Sequence, residues 1–251
     1  MKEYDKYLKL LKEKYPTKQS VYRELINLNA IMNLPKGTEH FMSDLHGEYD
    51  AFYHIINNCS GVIREKVAML YGDELTVYEQ QELCTLIYYP REKLSILMDE
   101  NKVNDEWYRN VLNQLIQIAK LLSSKYTRSK VRKAMPVDFA YIIDELIHAQ
   151  KDEDDNRSVY HRQIMETILS LHNGDEFLVA LTDLIKRLAV DHLHILGDIY
   201  DRGAHADKIL DLLMEHHSVD IQWGNHDILW MGAFCGNPVC MALVVRNNIK
   251  Y

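Results

Sequence analysis

Three short clusters of the sequence hold residue types that bind metals and move protons: Asp44-Leu45-His46-Gly47, Gly197-Asp198-Ile199-Tyr200-Asp201-Arg202-Gly203 and Gly224-Asn225-His226-Asp227. Each alone has an ordinary explanation. Asp44 suits a helix N-cap and His46 a loop, while Gly197-Asp198 and Gly224-Asn225 suit turns in which Asp and Asn bond their own backbone. Together they offer the Asp, Asn and His donors that suit divalent manganese, iron or zinc. The chemistry within their reach is that of a two-metal site, in which cations about 3.5–4 Å apart share a carboxylate, activate a water and stabilise charge on a phosphoryl group. Asp198, in the central cluster, is the candidate bridge. Asp44 and His46 complete the set of one metal, and Asn225 gives the other a neutral oxygen. Arg202 offers a fork-shaped cation for phosphate oxygens. His226 can protonate a leaving alkoxide, with Asp201 holding the imidazole in the required tautomer.

These residues work together only if the chain gathers them. Residues 38–43 are short and β-compatible and run into Asp44, after which helical periodicity resumes at Ala51, Phe52, Ile55 and Ile56. Residues 192–196 form a second strand ending at Gly197-Asp198, a helix fits 205–217, and a third strand over 219–223 ends at Gly224. Strand, helix, strand at this spacing is a βαβ unit, which requires a parallel pair. All three clusters then follow strand C-termini, the edge at which open α/β sheets bind ligands. Two helices open the chain, over residues 4–14 and 21–32. Between the first and second strands, residues 62–190 look almost wholly helical: Asn104 caps a helix carrying Trp107, Val111, Leu115, Ile118 and Leu122, and further helices fit 79–89, 139–148, 159–171 and 177–188. The acidic run Asp152-Glu153-Asp154-Asp155 reads as a solvated loop. The expectation is an α/β protein whose first part (1–61) and last part (191–251) build one sheet-bearing domain around a helical insertion (62–190).

Composition narrows the function classes. The 251 residues, 47% hydrophobic and 26% charged, are enough for one large globular domain or a domain and a half. Lys and Arg number 29 against 37 Asp and Glu, a net charge of −8 that repels polyanions, so nucleic acid is not an expected partner. A phosphate-bearing ligand must be held locally, by metals or a few placed cations. Cys59, Cys84, Cys235 and Cys240 lack metal or redox spacing and read as reduced, packed thiols. The N-terminal residues alternate charged and apolar types and do not read as a signal peptide, and no apolar run approaches the roughly 18 residues of a membrane span, so a cytoplasmic location without membrane partners is expected.

The three clusters resemble the D-x-H-G, G-D-x-x-D-R-G and G-N-H-[DE] signatures of the calcineurin-like metallophosphoesterases. Asp44 and Asp198 lie 154 residues apart. With that helical insertion and the wording SDLHGEYDAFYHIINNCSG and GDIYDRG, the chain resembles the bacterial class 3 fructose-1,6-bisphosphatases along its whole length. The resemblance implies a calcineurin-like sheet, hydrolysis of the 1-phosphate of fructose 1,6-bisphosphate in gluconeogenesis, and manganese as the usual ion, with Fe, Zn or Mg as alternatives. It puts Asp44, His46 and Asp198 on the first metal and Asp198 and Asn225 on the second, Arg202 and Asn225 toward the substrate, and His226 with Asp201 as the general-acid pair. Trp223 stands where protein phosphatases have Arg, which argues against phosphoprotein substrates. Superfamily members draw two further histidines from beyond G-N-H, and only 25 residues follow His226. An N-terminal part of a longer family chain is therefore expected, and its activity alone is open. Two other readings remain: another metallophosphoesterase, cleaving dinucleoside tetraphosphates or phosphoproteins, and a catalytically incomplete binding module. The helical insertion caps the site, builds a homo-oligomer interface, or both.

Other residues are less telling. Lys125, Arg128, Lys130, Arg132 and Lys133 put five cations into nine residues, either a solvated helix end or a seat for the substrate's second phosphate or an anionic regulator. His192 and His194 share one strand face but lie several residues before the strand end, which favours a packed or exposed role over ligation. His216-His217 closes a helix, where imidazole suits the dipole. His148, His161 and His172 read as surface residues.

Overall fold

Short strands joined by helical crossovers can pair in parallel, and such a sheet needs helices to cover a face. The computed structural model, which describes residues 2–149 and 155–250, has this form: a mainly helical α/β protein with a three-stranded parallel sheet. Helices α1 (Lys2–Lys14) and α2 (Lys18–Ile31) lead into β1 (Glu39–Met42), and α3 (Tyr49–Asn58) follows the first polar cluster. The helical block holds α4 (Val62–Tyr71), α5 (Val77–Tyr88), α6 (Pro90–Asp99), α7 (Asp105–Ser123), α8 (Arg128–Ala134), α9 (Ala140–His148), α10 (Asp155–Ser170) and α11 (Gly174–Ala189). Then come β2 (His192–Ile195), α12 (Ala206–Glu215), β3 (Val219–Ile221), α13 (Asn225–Phe234) and α14 (Pro238–Lys250).

Local chemistry sets most boundaries. Asn104 accepts from the Trp107 N–H to start α7, and a Thr76–Glu79 capping box starts α5. Pro90, with no N–H to donate, begins α6 just after α5 ends. The helix expected over 159–171 begins earlier, at Asp155, so the last residue of the acidic run is helical; Asp152, Glu153 and Asp154 lie outside the described residues. The helix expected over 205–217 ends at Glu215, and His216 is already extended.

The sheet order is β1-β2-β3, with Glu39 opposite His192 and Leu193 opposite Val219. One face buries Leu193 and Ile195 with Leu45, Phe52, Ile199, Ile209 and Leu213, so α3 and α12 cover it. A larger cluster fills the helical block, where the apolar stripes of α7 (Leu112, Leu115, Ile118, Leu122) and α11 (Phe177, Leu178, Leu181, Ile185) meet. Trp107 and Tyr108 pack against it. Cys59 and Cys84 are buried, as expected of packed thiols, whereas Cys235 is exposed and Cys240 half-buried. Of the surface histidines expected, His172 is exposed, but His148 and His161 are half-buried. Among the described residues no helix is long and apolar enough to cross a membrane.

Candidate metal site

Parallel pairing does not stop at the strand ends. Past β1 and β2 the backbone continues the exchange: the His46 N–H donates to the Asp198 carbonyl at 2.8 Å, the Gly47 N–H to Ile199 at 2.8 Å and the Gly203 N–H to His46 at 2.6 Å. This lacing over-determines a strained backbone. Asp44, His46, Asp198, Asp201 and Arg202 all have positive φ, between 47° and 75°, a conformation costing non-glycine residues about 1–3 kcal/mol each unless neighbours enforce it. The third loop is brought in at Gly197, whose φ is +98° and where a side chain would collide with the Gly224 backbone.

Asp227 fastens that junction. It is 5% exposed, and its carboxylate accepts backbone N–H groups from Asp198 (2.7 Å), Ile199 (2.9 Å), Tyr200 (3.2 Å) and Gly224 (2.8 Å). One buried charge thus ties the second loop to the first turn of α13. Sequence reading quoted Asp227 as part of a cluster without giving it a task. The available signal was its place three residues after Gly224, the N3 position of a capping box.

The loops bring Asp44, His46 and Asp198 together, with one donor atom of each within 4.8 Å of the others. His46 Nε2 lies 3.6 Å from Asp44 Oδ1. The Nδ1–H of His46 donates to the Tyr200 carbonyl at 3.1 Å, leaving the Nε2 lone pair on the side of the two carboxylates. A metal-binding imidazole is normally held in this way through its other nitrogen. The donor set therefore fits a divalent ion. Asp198 Oδ1 also accepts the His226 N–H at 3.1 Å, so the start of α13 abuts this carboxylate. Asn225 is the first residue of α13, exposed beside that contact, and Arg202 is exposed on the second loop.

His226 and Asp201 form a pair. His226 Nδ1 donates to Asp201 Oδ2 at 2.5 Å, and the Asp201 side chain is fully buried. The His226 ring meets the His46 ring edge to face, centroids 5.2 Å apart, so the pair adjoins the Asp44–His46–Asp198 group. Asp201 also accepts from Trp230 Nε1 and Asn247 Nδ2, each at 2.9 Å. Burial opposes its charge, but the hydrogen bonds from His226, Trp230 and Asn247 outweigh that and hold the carboxyl below its ordinary value. Sequence reading missed Trp230 and Asn247. The first lies one helical turn beyond His226; nothing in the order of residues points to the second.

The basic stretch is not brought to this edge. Lys125 Nζ bonds Thr38 at 3.3 Å and Lys130 Nζ pairs with Asp191 at 2.5 Å, at the N-terminal ends of β1 and β2, and Arg132 faces Asp144 at 3.8 Å. The strands separate these cations from the loops, which removes them as a seat for a second phosphate of a ligand bound there.

A family model described as Firmicute fructose-1,6-bisphosphatase matches residues 6–251. A Clostridium beijerinckii protein named fructose-1,6-bisphosphatase class 3 1 is 54% identical over 100% of this chain and 39% of its own length. Proteins named fructose-1,6-bisphosphatase class 3 from Listeria monocytogenes and Clostridium acetobutylicum are each 54% identical over 98% of this chain, and 38% and 37% of their own lengths. The chain thus spans about two-fifths of the length of these relatives. No solved structure matches it.

Proposed function

The chain belongs to the Firmicute fructose-1,6-bisphosphatase family, and from that premise we propose that it supplies the metal and proton-transfer loops of a phosphatase that converts fructose 1,6-bisphosphate to fructose 6-phosphate and phosphate, a gluconeogenic step in the cytoplasm. The observation that carries this reading is the convergence of Asp44, His46 and Asp198 beside the His226–Asp201 pair. The reading includes a calcineurin-like architecture, with residues 1–61 and 191–251 as the sheet-bearing part and 62–190 as the insertion.

In this reading Asp44, His46 and Asp198 hold one divalent ion, and Asp198 and Asn225 hold a second. Manganese is the proposed ion, with iron, zinc and magnesium compatible with the same N/O donors. Bound there, the ions supply an activated water and neutralise phosphoryl oxygens. Tyr200 fixes the tautomer of His46 through its carbonyl, and Asp227 keeps the Asp198 loop in its left-handed form. Arg202 grips the phosphate as a fork. Asp201, itself held by Trp230 and Asn247, orients His226 so that the ring's second nitrogen delivers a proton to the departing sugar oxygen.

The test is phosphate release by the chain with added Mn²⁺ from fructose 1,6-bisphosphate, diadenosine tetraphosphate and p-nitrophenyl phosphate, together with calorimetric Mn²⁺ titration. Preference for the sugar bisphosphate supports the reading. Equal rates on all three point to a broader phosphoesterase. Mn²⁺ binding without turnover makes this chain a metal-binding part only, a reading favoured by the two-residue set for the second ion.

A further inference from the structure

Strand β2 has a second face with its own chemistry. Leu193 and Ile195 point into the core, so His192 and His194 share the opposite face. The register sets Glu39 of β1 beside His192, and Phe41 of β1 and Asp220 of β3 on either side of His194. Each element contributes one or two polar residues to a single row across the sheet.

We propose that this row is a separate divalent-cation site for a borderline transition ion of the zinc, cobalt or nickel kind, with His192 Nε2, His194 Nδ1 and an Asp220 oxygen as protein ligands. One donor atom of each residue lies within 4.8 Å of the others. His192 Nε2 is 3.2 Å from Asp220 Oδ2, and His194 Nδ1 is 2.9 Å from Asp220 Oδ1 and 3.0 Å from Oδ2. A tetrahedral ion with bonds of about 2.0–2.2 Å sets its donors roughly 3.3–3.5 Å apart. The two His–Asp220 separations therefore need only small outward shifts to admit the ion. Two imidazoles with a carboxylate select borderline ions over magnesium or calcium.

The outer contacts match. A metal-binding histidine is held through its other nitrogen. His192 Nδ1 is engaged by Ser218 Oγ at 2.6 Å. His194 Nε2 is buried without a hydrogen-bond partner and lies 3.7 Å from Glu39 Oε2. Ligation through Nδ1 fixes the remaining proton on Nε2, where a small rotation of Glu39 accepts it. Phe41 stacks on the His194 ring at 4.4 Å, and the two imidazoles are themselves 4.4 Å apart, so the ligand set is ordered before any ion arrives. The side chain of Asp220 is 57% exposed, which gives solvent a path in. Four residue steps, only the first of them within β2, separate His194 from Asp198, a reach of at most about 13 Å, and the two groups have no residue in common.

Calorimetric Zn²⁺ titration of the metal-stripped chain tests this. The unmutated chain should show an Asp220-dependent binding event besides binding at the loops; Asp220→Asn should weaken that event at least tenfold, and Asp44→Asn should weaken the loop binding while leaving the Asp220-dependent event in place. An Asp220→Asn protein that titrates like the unmutated chain overturns the proposal. Should that variant fail to fold, imidazole ¹⁵N spectra of the unmutated chain decide: Zn²⁺ must shift His192 Nε2 and His194 Nδ1, and a response limited to His46 overturns it. A chain that binds Zn²⁺ at Asp220 but never releases phosphate defeats the proposed function alone.

Discussion

Asp198 and Asp227 carry the same charge at opposite ends of one junction, and their substitution should separate chemistry from stability. Asp198 faces the metal donors and accepts one backbone N–H, from His226. An Asn in its place still accepts that bond but gives up the charge that a bridging ligand needs. Asp198→Asn should therefore keep its unfolding free energy in urea within about 0.5 kcal/mol and lose more than roughly a hundredfold in turnover, since metal-borne charge stabilisation is worth several kcal/mol at 1.36 kcal/mol per tenfold. Asp227→Ala withdraws the acceptor from four backbone N–H groups at a site 5% exposed. Unsatisfied buried donors cost about 1–3 kcal/mol each, so a loss of roughly 3 kcal/mol or more in urea unfolding is expected, with weaker metal binding as its consequence. A midpoint unchanged in Asp227→Ala would show that water replaces the carboxylate and that the junction is held elsewhere.

Among elements, the strand–loop junctions were legible in the sequence because each short apolar run ends on a polar cluster, and the βαβ spacing forces parallel order. The stripe Val111, Leu115, Ile118 and Leu122 likewise announced α7, and the structure buries all four. What stayed hidden depends on tertiary contact. Trp230 and Asn247 reach Asp201 from 29 and 46 residues away, and Asp220 meets His194 only through β-sheet register. His216 does close α12, as its C-cap, but burial lowers the pKa values of His216 and His217 where the helix end alone would have favoured the cation. The loop junctions carry their own prediction. Gly61 and Gly197 both have left-handed φ, +87° and +98°, but a side chain at Gly61 meets open space while one at Gly197 meets the Gly224 backbone. Gly61→Ala should cost about 1–2 kcal/mol, conformational strain alone. Gly197→Ala should add about 1–3 kcal/mol of overpacking and lower turnover, since it pushes Asn225 and His226 away from Asp198. Equal losses in urea unfolding would mean that the contact between loops two and three relaxes freely.

Across the whole molecule, the sheet-side core and the helical core meet over a cavity of about 280 Å³ whose lining includes His40, Cys59, Lys186, Arg187, His216 and His217. The lining also sets Lys186 and Arg187 beside Asp183 and Glu215, while its thiol and its buried imidazoles are kept uncharged. Burial pushes the Cys59 thiol up to about 12, so it remains protonated. Burial, and then His217, push His216 down to about 4, and burial is also the first cause that lowers His217 and His40. With a folded pKa below the ordinary 6.5, the unfolded chain takes up protons first as the medium is acidified. The stabilisation is complete above pH 6.5 and is lost as pH falls from there toward 4. Paired carboxylates such as Glu166 and Asp201 are held below their ordinary 4.5 and 3.8, so their own loss sets in near those values and leaves only the upper part of the window, above about pH 5, to the imidazoles. The urea midpoint should accordingly decline between pH 6.5 and 4 in the unmutated protein. His216→Gln, which keeps an amide donor for the Ser218 carbonyl that His216 Nδ1 reaches at 3.0 Å, removes the titrating group and should flatten the decline. Parallel curves for the two proteins would place the acid sensitivity of the seam on groups other than His216.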